Sequence, residues 1–159
     1  MKAEIHYCRS WFRVKKIAIE TYGETVAQAK HNAGVSYTAL IGSATNPTCF
    51  VELILDKGMI GVGFLDEHLR EYMTYQFQRV EDGRLFLSMV THREFVEEDD
   101  KVREGTTYFF DPCGEVVIRR QTFNPRLIEK MISSFNPENN YETFPDFGEY
   151  SDLIKAERQ

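Results

Sequence analysis

The chain has 159 residues, 42% of them hydrophobic and 13% aromatic, and its 25 acids against 19 Lys and Arg give a net charge of −6. Such a chain folds as one domain burying about 70% of its unfolded surface, which excludes a disordered protein, and no run reaches the roughly eighteen apolar residues of a membrane span. The acidity disfavours nucleic acid, whose phosphates need positive potential, and three cysteines without close spacing argue against a disulfide framework.

Ala3, Ile5 and Tyr7 alternate with Glu4, His6 and Cys8, the period-2 signal of a strand or extended arm. The same stretch lacks the apolar core of a secretory signal, so a cytoplasmic protein with reduced thiols is expected. From Ser10, a potential cap, the residues Trp11, Val14, Ala18, Tyr22, Thr25, Val26 and Ala29 form one stripe at three- and four-residue spacing. Gly34 is placed as the stop, so residues 1–34 are expected to form a helical segment. The β-branched Ile17, Ile19 and Thr21, with Gly23, leave strand and helix both open for residues 11–22. Residues 35–41 are apolar without a readable period, and residues 42–47 are a loop by composition.

Residues 49–123 read as one antiparallel meander. Three turn signals punctuate it, Asp56-Lys57-Gly58, Glu81-Asp82-Gly83 and Asp111-Pro112-Cys113-Gly114, each ending in the glycine that a hairpin loop with φ > 0 needs. Six strands are expected, at 50–55, 59–65, 72–80, 85–96, 107–110 and 116–123. The first two are apolar on both faces and belong centrally or under a helix. Gly61 and Gly63 strip side chains from one face of the second, so a helix, a ligand or a bent neighbour packs closely there. After the meander, Asn124-Pro125 starts a predicted helix carrying Leu127, Ile128, Met131 and Ile132, which Asn136-Pro137 ends. Residues 138–159 interleave Tyr141, Phe144, Phe147 and Tyr150 with acids, and Leu153 and Ile154 open a short terminal helix. The fold class expected is thus α+β. A curved antiparallel sheet of five to seven strands packs against the N-terminal helical segment, with a C-terminal helix and acidic-aromatic segment over residues 124–159.

No constellation carries catalysis. His6, His31, His68 and His92 show no metal-ligand spacing, and no metal or cofactor is expected. Cys49 reads as core, and Cys113 lies at a hairpin tip between acids, where a thiolate is disfavoured. No P-loop, nucleophile elbow or dinucleotide fingerprint occurs. Two features remain. The run Glu97, Glu98, Asp99 and Asp100 sits between the fourth and fifth predicted strands, and Tyr141, Glu142, Asp146 and Phe147 lie in the C-terminal segment. With residues 81–159 carrying a net −7, these eight are the candidate partner-binding residues, carboxylates to steer a basic protein and aromatics to anchor it. The alternative is a small-molecule or catalytic cup on the concave sheet face, lined by Tyr72, Gln76, Ser88 and His92.

The stretches Gly58-Met59-Ile60-Gly61-Val62-Gly63-Phe64-Leu65-Asp66, Tyr108-Phe109-Phe110-Asp111-Pro112-Cys113-Gly114-Glu115-Val116 and Phe144-Pro145-Asp146-Phe147-Gly148-Glu149-Tyr150 resemble small acidic bacterial immunity proteins of polymorphic and contact-dependent toxin systems. The resemblance implies a non-enzymatic inhibitor that binds and neutralises a cognate toxin domain. It carries no site residues of its own.

Overall fold

The structure, a computed structural model, describes residues 4–157. Its elements in chain order are β1 (Ile5–Phe12), β2 (Ile17–Tyr22), α1 (Glu24–Asn32), β3 (Tyr37–Ile41), β4 (Cys49–Ile54), β5 (Met59–Leu65), β6 (Glu71–Arg79), β7 (Leu85–Phe95), β8 (Val102–Phe110), β9 (Glu115–Phe123), β10 (Arg126–Ser134) and β11 (Tyr141–Glu142). Short 3₁₀ turns lie at Leu55–Lys57 and Pro137–Asn140. The strands make one open antiparallel sheet in the order β10-β9-β8-β7-β6-β5-β4-β3-β1-β2, with β11 added beside the start of β7.

The six-stranded meander is present as β4 to β9, and Gly58, Gly83 and Gly114 close its turns at φ of 62°, 86° and 99°. The α+β expectation is overturned. Strands hold 53% of the described residues and helical turns only 10%, so the described chain is an eleven-stranded β protein with one short helix. Residues 5–22 form a hairpin where the stripe from Trp11 suggested a helix. The β-branched Ile17 and Ile19 favour the extended chain, Lys16 turns it at φ 56°, and β1 gains hydrogen-bonded partners on both sides. Only Glu24–Asn32 is helical, with Glu24 in its first turn and Lys30 and His31 in its last, as the helix dipole favours. Gly34 ends it at φ 71°, where its own N–H reaches the His31 carbonyl and that of Val35 reaches Lys30.

The predicted C-terminal helix is also a strand. A tight turn with a cis Asn124–Pro125 bond leads β9 into β10, and the two pair over nine consecutive positions without a bulge. The stretch around Leu153 forms a turn closed by its N–H on the Tyr150 carbonyl, and no terminal helix follows among the described residues.

Alternation within the strands divides the core. One face buries Tyr37, Ala39, Val51, Leu53, Ile60, Val62, Tyr75, Phe77, Leu85 and Leu87 beneath Ala27 of α1 and Tyr150 and Leu153 of the returning C-terminal segment. Tyr37 ties these layers together, its hydroxyl lying 2.7 Å from both the Tyr150 hydroxyl and His31 Nδ1. The opposite face holds a smaller cluster of Cys8, Trp11, Leu40, Phe50 and Leu65. Beyond that cluster, over β4 to β7, this second face is uncovered and forms a cleft.

Candidate functional site

The cleft follows from one cross-strand row. Register places Glu52 of β4, Gly61 of β5, Gln76 of β6 and Met89 of β7 side by side on the same face. Glycine at the second position leaves a slot between Glu52 and Gln76, whose strands lie about 9.5 Å apart. The next row, Phe50–Gly63–Thr74, shows the contrast. A Cβ on Gly63 would sit 2.3 Å from Phe50 Cζ and 2.8 Å from Glu71 Oε1, so the Phe50 ring and a carboxylate already occupy that space. A Cβ on Gly61 meets nothing nearer than Glu52 Oε1 at 3.7 Å. Neither glycine lies under a helix. The cleft has a volume of about 530 Å³.

Its walls are hairpin tips. Arg13, at the β1–β2 turn, reaches across the sheet, donating from Nε to Glu71 Oε2 at 2.8 Å and from Nη2 to Glu52 Oε1 at 2.5 Å. Its guanidinium stands 5.0 Å over the Phe50 ring. Burial works against its charge, but Glu52 and Glu71 outweigh that and raise its pKa. Lys16 Nζ bonds Asp100 Oδ1 and the His68 carbonyl, both at 2.8 Å, which clasps the β1–β2 tip to the β7–β8 turn. Arg70, paired with Asp66 at 2.8 Å, donates to the carbonyls of Glu97 and Asp99 and stacks 4.7 Å from Phe95. Burial opposes ionisation of Asp66, yet the Arg70 backbone N–H, its guanidinium and the His68 N–H hold the carboxyl below its usual value.

Arg93 differs from these three cations. Its only bond is a 3.5 Å contact from Nη1 to the Glu71 carbonyl, and no carboxylate pairs with it among the described residues. The Thr74 hydroxyl and the Gln76 amide also point no hydrogen bond at a described residue.

A second surface lies at the far end of the sheet. All nine residues of β10 are exposed, among them Leu127 at 56%, Met131 at 59% and Ile132 at 68%. Its outer edge has no strand beside it among the described residues. Phe109, Phe123 and Ile128 are exposed as well, and alternation puts them with Ile132 on one face of the sheet and Leu127 with Met131 on the other. β9 and β10 carry Arg119, Arg120, Arg126 and Lys130 against Glu115 and Glu129, so this ribbon is basic within an acidic protein. Arg120 pairs with Glu104, whereas Arg119 and Lys130, cross-strand neighbours, have no carboxylate partner among the described residues.

The sequence-derived candidates scatter. Glu97, Glu98, Asp99 and Asp100 are exposed at the β7–β8 turn, their field reduced by Arg70 and Lys16. Tyr141 and Glu142 form β11 beside Phe86 and Leu85, at the other end of β7, about 30 Å away along the strand. Tyr141 packs edge-on to Phe86 at 5.0 Å under the Arg84 guanidinium. Phe147 stacks on Tyr7 at 5.1 Å, and Asp146 is exposed beside it. The eight residues therefore do not share one patch. Of the four cup residues only Gln76 lines the cleft. Ser88 donates to the Gln76 carbonyl at a bulge, His92 packs against Tyr108 on the opposite face, and Tyr72 packs on Phe64. Arg13, Glu52 and Arg93 were missed. Glu52 alone carried a signal, as an acid inside the apolar run Phe50-Val51-Glu52-Leu53-Ile54.

Burial pushes the Cys8 thiol up to about 11 and that of Cys49 to about 12, which suits inert core residues. No group of three or more metal-ligating side chains occurs among the described residues, and no helix there is long and apolar enough to cross a membrane. Comparison with family models, curated proteins and solved structures gave no match, so function is read from these two surfaces.

Proposed function

We propose that the chain is a non-enzymatic protein-binding module whose partner docks on the β9–β10 ribbon. The observation behind this reading is β10 itself, a nine-residue edge strand with every residue exposed, four large apolar side chains and an unbroken register. Native sheets blunt such edges with bulges, proline or short length, because a free row of N–H and C=O groups templates pairing with another chain. The opposite edge, β2, is blunted in this way, being six residues long with Glu20 turned to φ 54°. β10 carries only Glu129 and Lys130 at its centre against that risk. A partner strand adding to β10 would satisfy its backbone and cover Leu127, Met131 and Ile132. The free Arg119 and Lys130 favour a partner with acidic groups at the contact, rather than the basic partner that net charge alone suggests.

The resemblance to immunity proteins gives this binding its form, occlusion of a cognate toxin domain. The test is co-expression of the tagged chain with the product of the adjacent gene. The parent should retain that product, and a Met131→Pro, Ile132→Lys variant should lose it while keeping its melting temperature. Equal retention by both proteins, or none by the parent, defeats the reading.

A further inference from the structure

The cleft over Gly61 plays no part in docking at β10, yet it has the features of a binding site rather than of a packing defect. Its volume of about 530 Å³ falls in the range of small-molecule pockets. Three of its four cations are already neutralised: Arg13 by Glu52 and Glu71, Lys16 by Asp100, and Arg70 by Asp66. Arg93 is not, and a guanidinium is shaped to take a carboxylate through two parallel hydrogen bonds. Glu52 and Glu71, two carboxylates sharing the single Arg13, also line the cleft and would repel a doubly charged phosphate, which narrows the anion to a monovalent one. Thr74 and Gln76 present a hydroxyl and an amide without partners, suited to the N–H and C=O of an amide group. Met59 and Met89 offer deformable apolar surface for a side chain.

We propose that this cleft binds a small amide-bearing carboxylate, its carboxylate on Arg93, its amide on Thr74 and Gln76, and its apolar side chain in the slot over Gly61. That chemistry belongs equally to a free N-acyl amino acid and to the C-terminal residue of a peptide. The slot exists because Gly61 has no side chain, while Gly63 beside it is filled by Phe50. Trp11, the one tryptophan of the chain, lines the cleft and reports on its occupation.

The test titrates the full chain with N-acetyl-L-leucine, with acetyl-Ala-Ala-Leu, and with N-acetyl-L-leucinamide, which lacks the carboxylate. Trp11 fluorescence and the backbone amide shifts of Gly61, Thr74 and Gln76 are followed. A saturable response to either acid, with the leucinamide at least about tenfold weaker, supports the assignment. Tighter binding of the tripeptide identifies a peptide terminus as the source, and equal binding identifies a free acyl amino acid. Arg93→Gln should weaken the acids about tenfold with little effect on the leucinamide. Gly61→Val should abolish the response in a chain that still unfolds cooperatively, and Gly61→Ala, whose Cβ meets only ordinary contacts, should keep the parent melting temperature. No saturation by either acid at 20 mM, equal binding of the leucinamide, or parent-like binding by Arg93→Gln or Gly61→Val overturns the proposal.

Discussion

Two glycines on the same face of β5, two residues apart, should respond in opposite directions to a single methyl group. In Gly63→Ala the new Cβ would lie 2.3 Å from Phe50 Cζ and 2.6 Å from Cε1, where carbon atoms rest at about 3.5–4.0 Å. The ring must therefore shift by more than about 1 Å, and it has little room. Phe50 is fully buried, with Trp11 at 6.4 Å and the Arg13 guanidinium at 5.0 Å. Glu71 Oε1, 2.8 Å from the methyl, must move as well, and it belongs to the carboxylate that Arg13 holds. Overpacking of this kind costs about 1–3 kcal/mol. The stiffer unfolded chain returns about 0.4–1 kcal/mol. A net loss of about 1–2 kcal/mol should lower the melting temperature by roughly 2–8 °C at this chain length. Gly61→Ala has the same unfolded-state gain and no clash, so it should be neutral or raise stability by a few tenths of a kcal/mol, as an estimate on the order of that gain. Urea and thermal unfolding followed by circular dichroism measure both, and Phe50→Leu should recover part of the loss only in the Gly63→Ala background. Parent-like stability of Gly63→Ala, or shifts of the same sign at both positions, would refute the packing of Phe50 across β5.

Gly83→Val places a branched side chain at φ 86° with no atom within 4 Å of its Cβ, so backbone strain alone should cost about 1–2 kcal/mol in urea unfolding. Burial lowers the pKa of His31 against the opposing pull of Asp146, so its neutral form favours the fold. That contribution is complete above the ordinary value of 6.5 and is lost as pH falls through the lower folded value, so urea midpoints should drop between pH 7.5 and 5.5, and less steeply in His31→Gln. Asp66→Ala removes the acceptor for the His68 and Arg70 N–H groups and for Arg70 Nε, and should cost about 1–3 kcal/mol by the same assay.

The meander was legible because its information is local. A glycine with positive φ ends three of its five turns, and one buried face imposes alternation on β6. β10 was misread for the opposite reason. Exposed on both faces, it has no alternation to display, and Leu127, Ile128, Met131 and Ile132 fit a helical stripe as readily. The β1–β2 hairpin hid behind a similar coincidence of spacing from Trp11 to Tyr22, although Ile17, Ile19 and Thr21 pointed to strand. At the cleft, Gly61 and Gly63 announced a close approach, but what approaches could not be read locally. Arg13 meets Glu71 across 58 positions of sequence, a contact set by the order of strands and not by any motif.

The returning C-terminal segment bears on when the protein becomes a protein. Nearly every strand pairs with its neighbour in sequence, so the sheet can grow hairpin by hairpin as the chain leaves the ribosome. The Tyr37–Tyr150 hydroxyl pair, by contrast, joins residues 113 apart and waits until Tyr150 has been made. Until Tyr150 and Leu153 arrive, Tyr37, Leu53, Ile60 and Phe77 lie on a formed but uncovered sheet. A nascent chain halted before Tyr150 would thus present that apolar face beside the free β10 edge, the combination that chaperones and proteases act on.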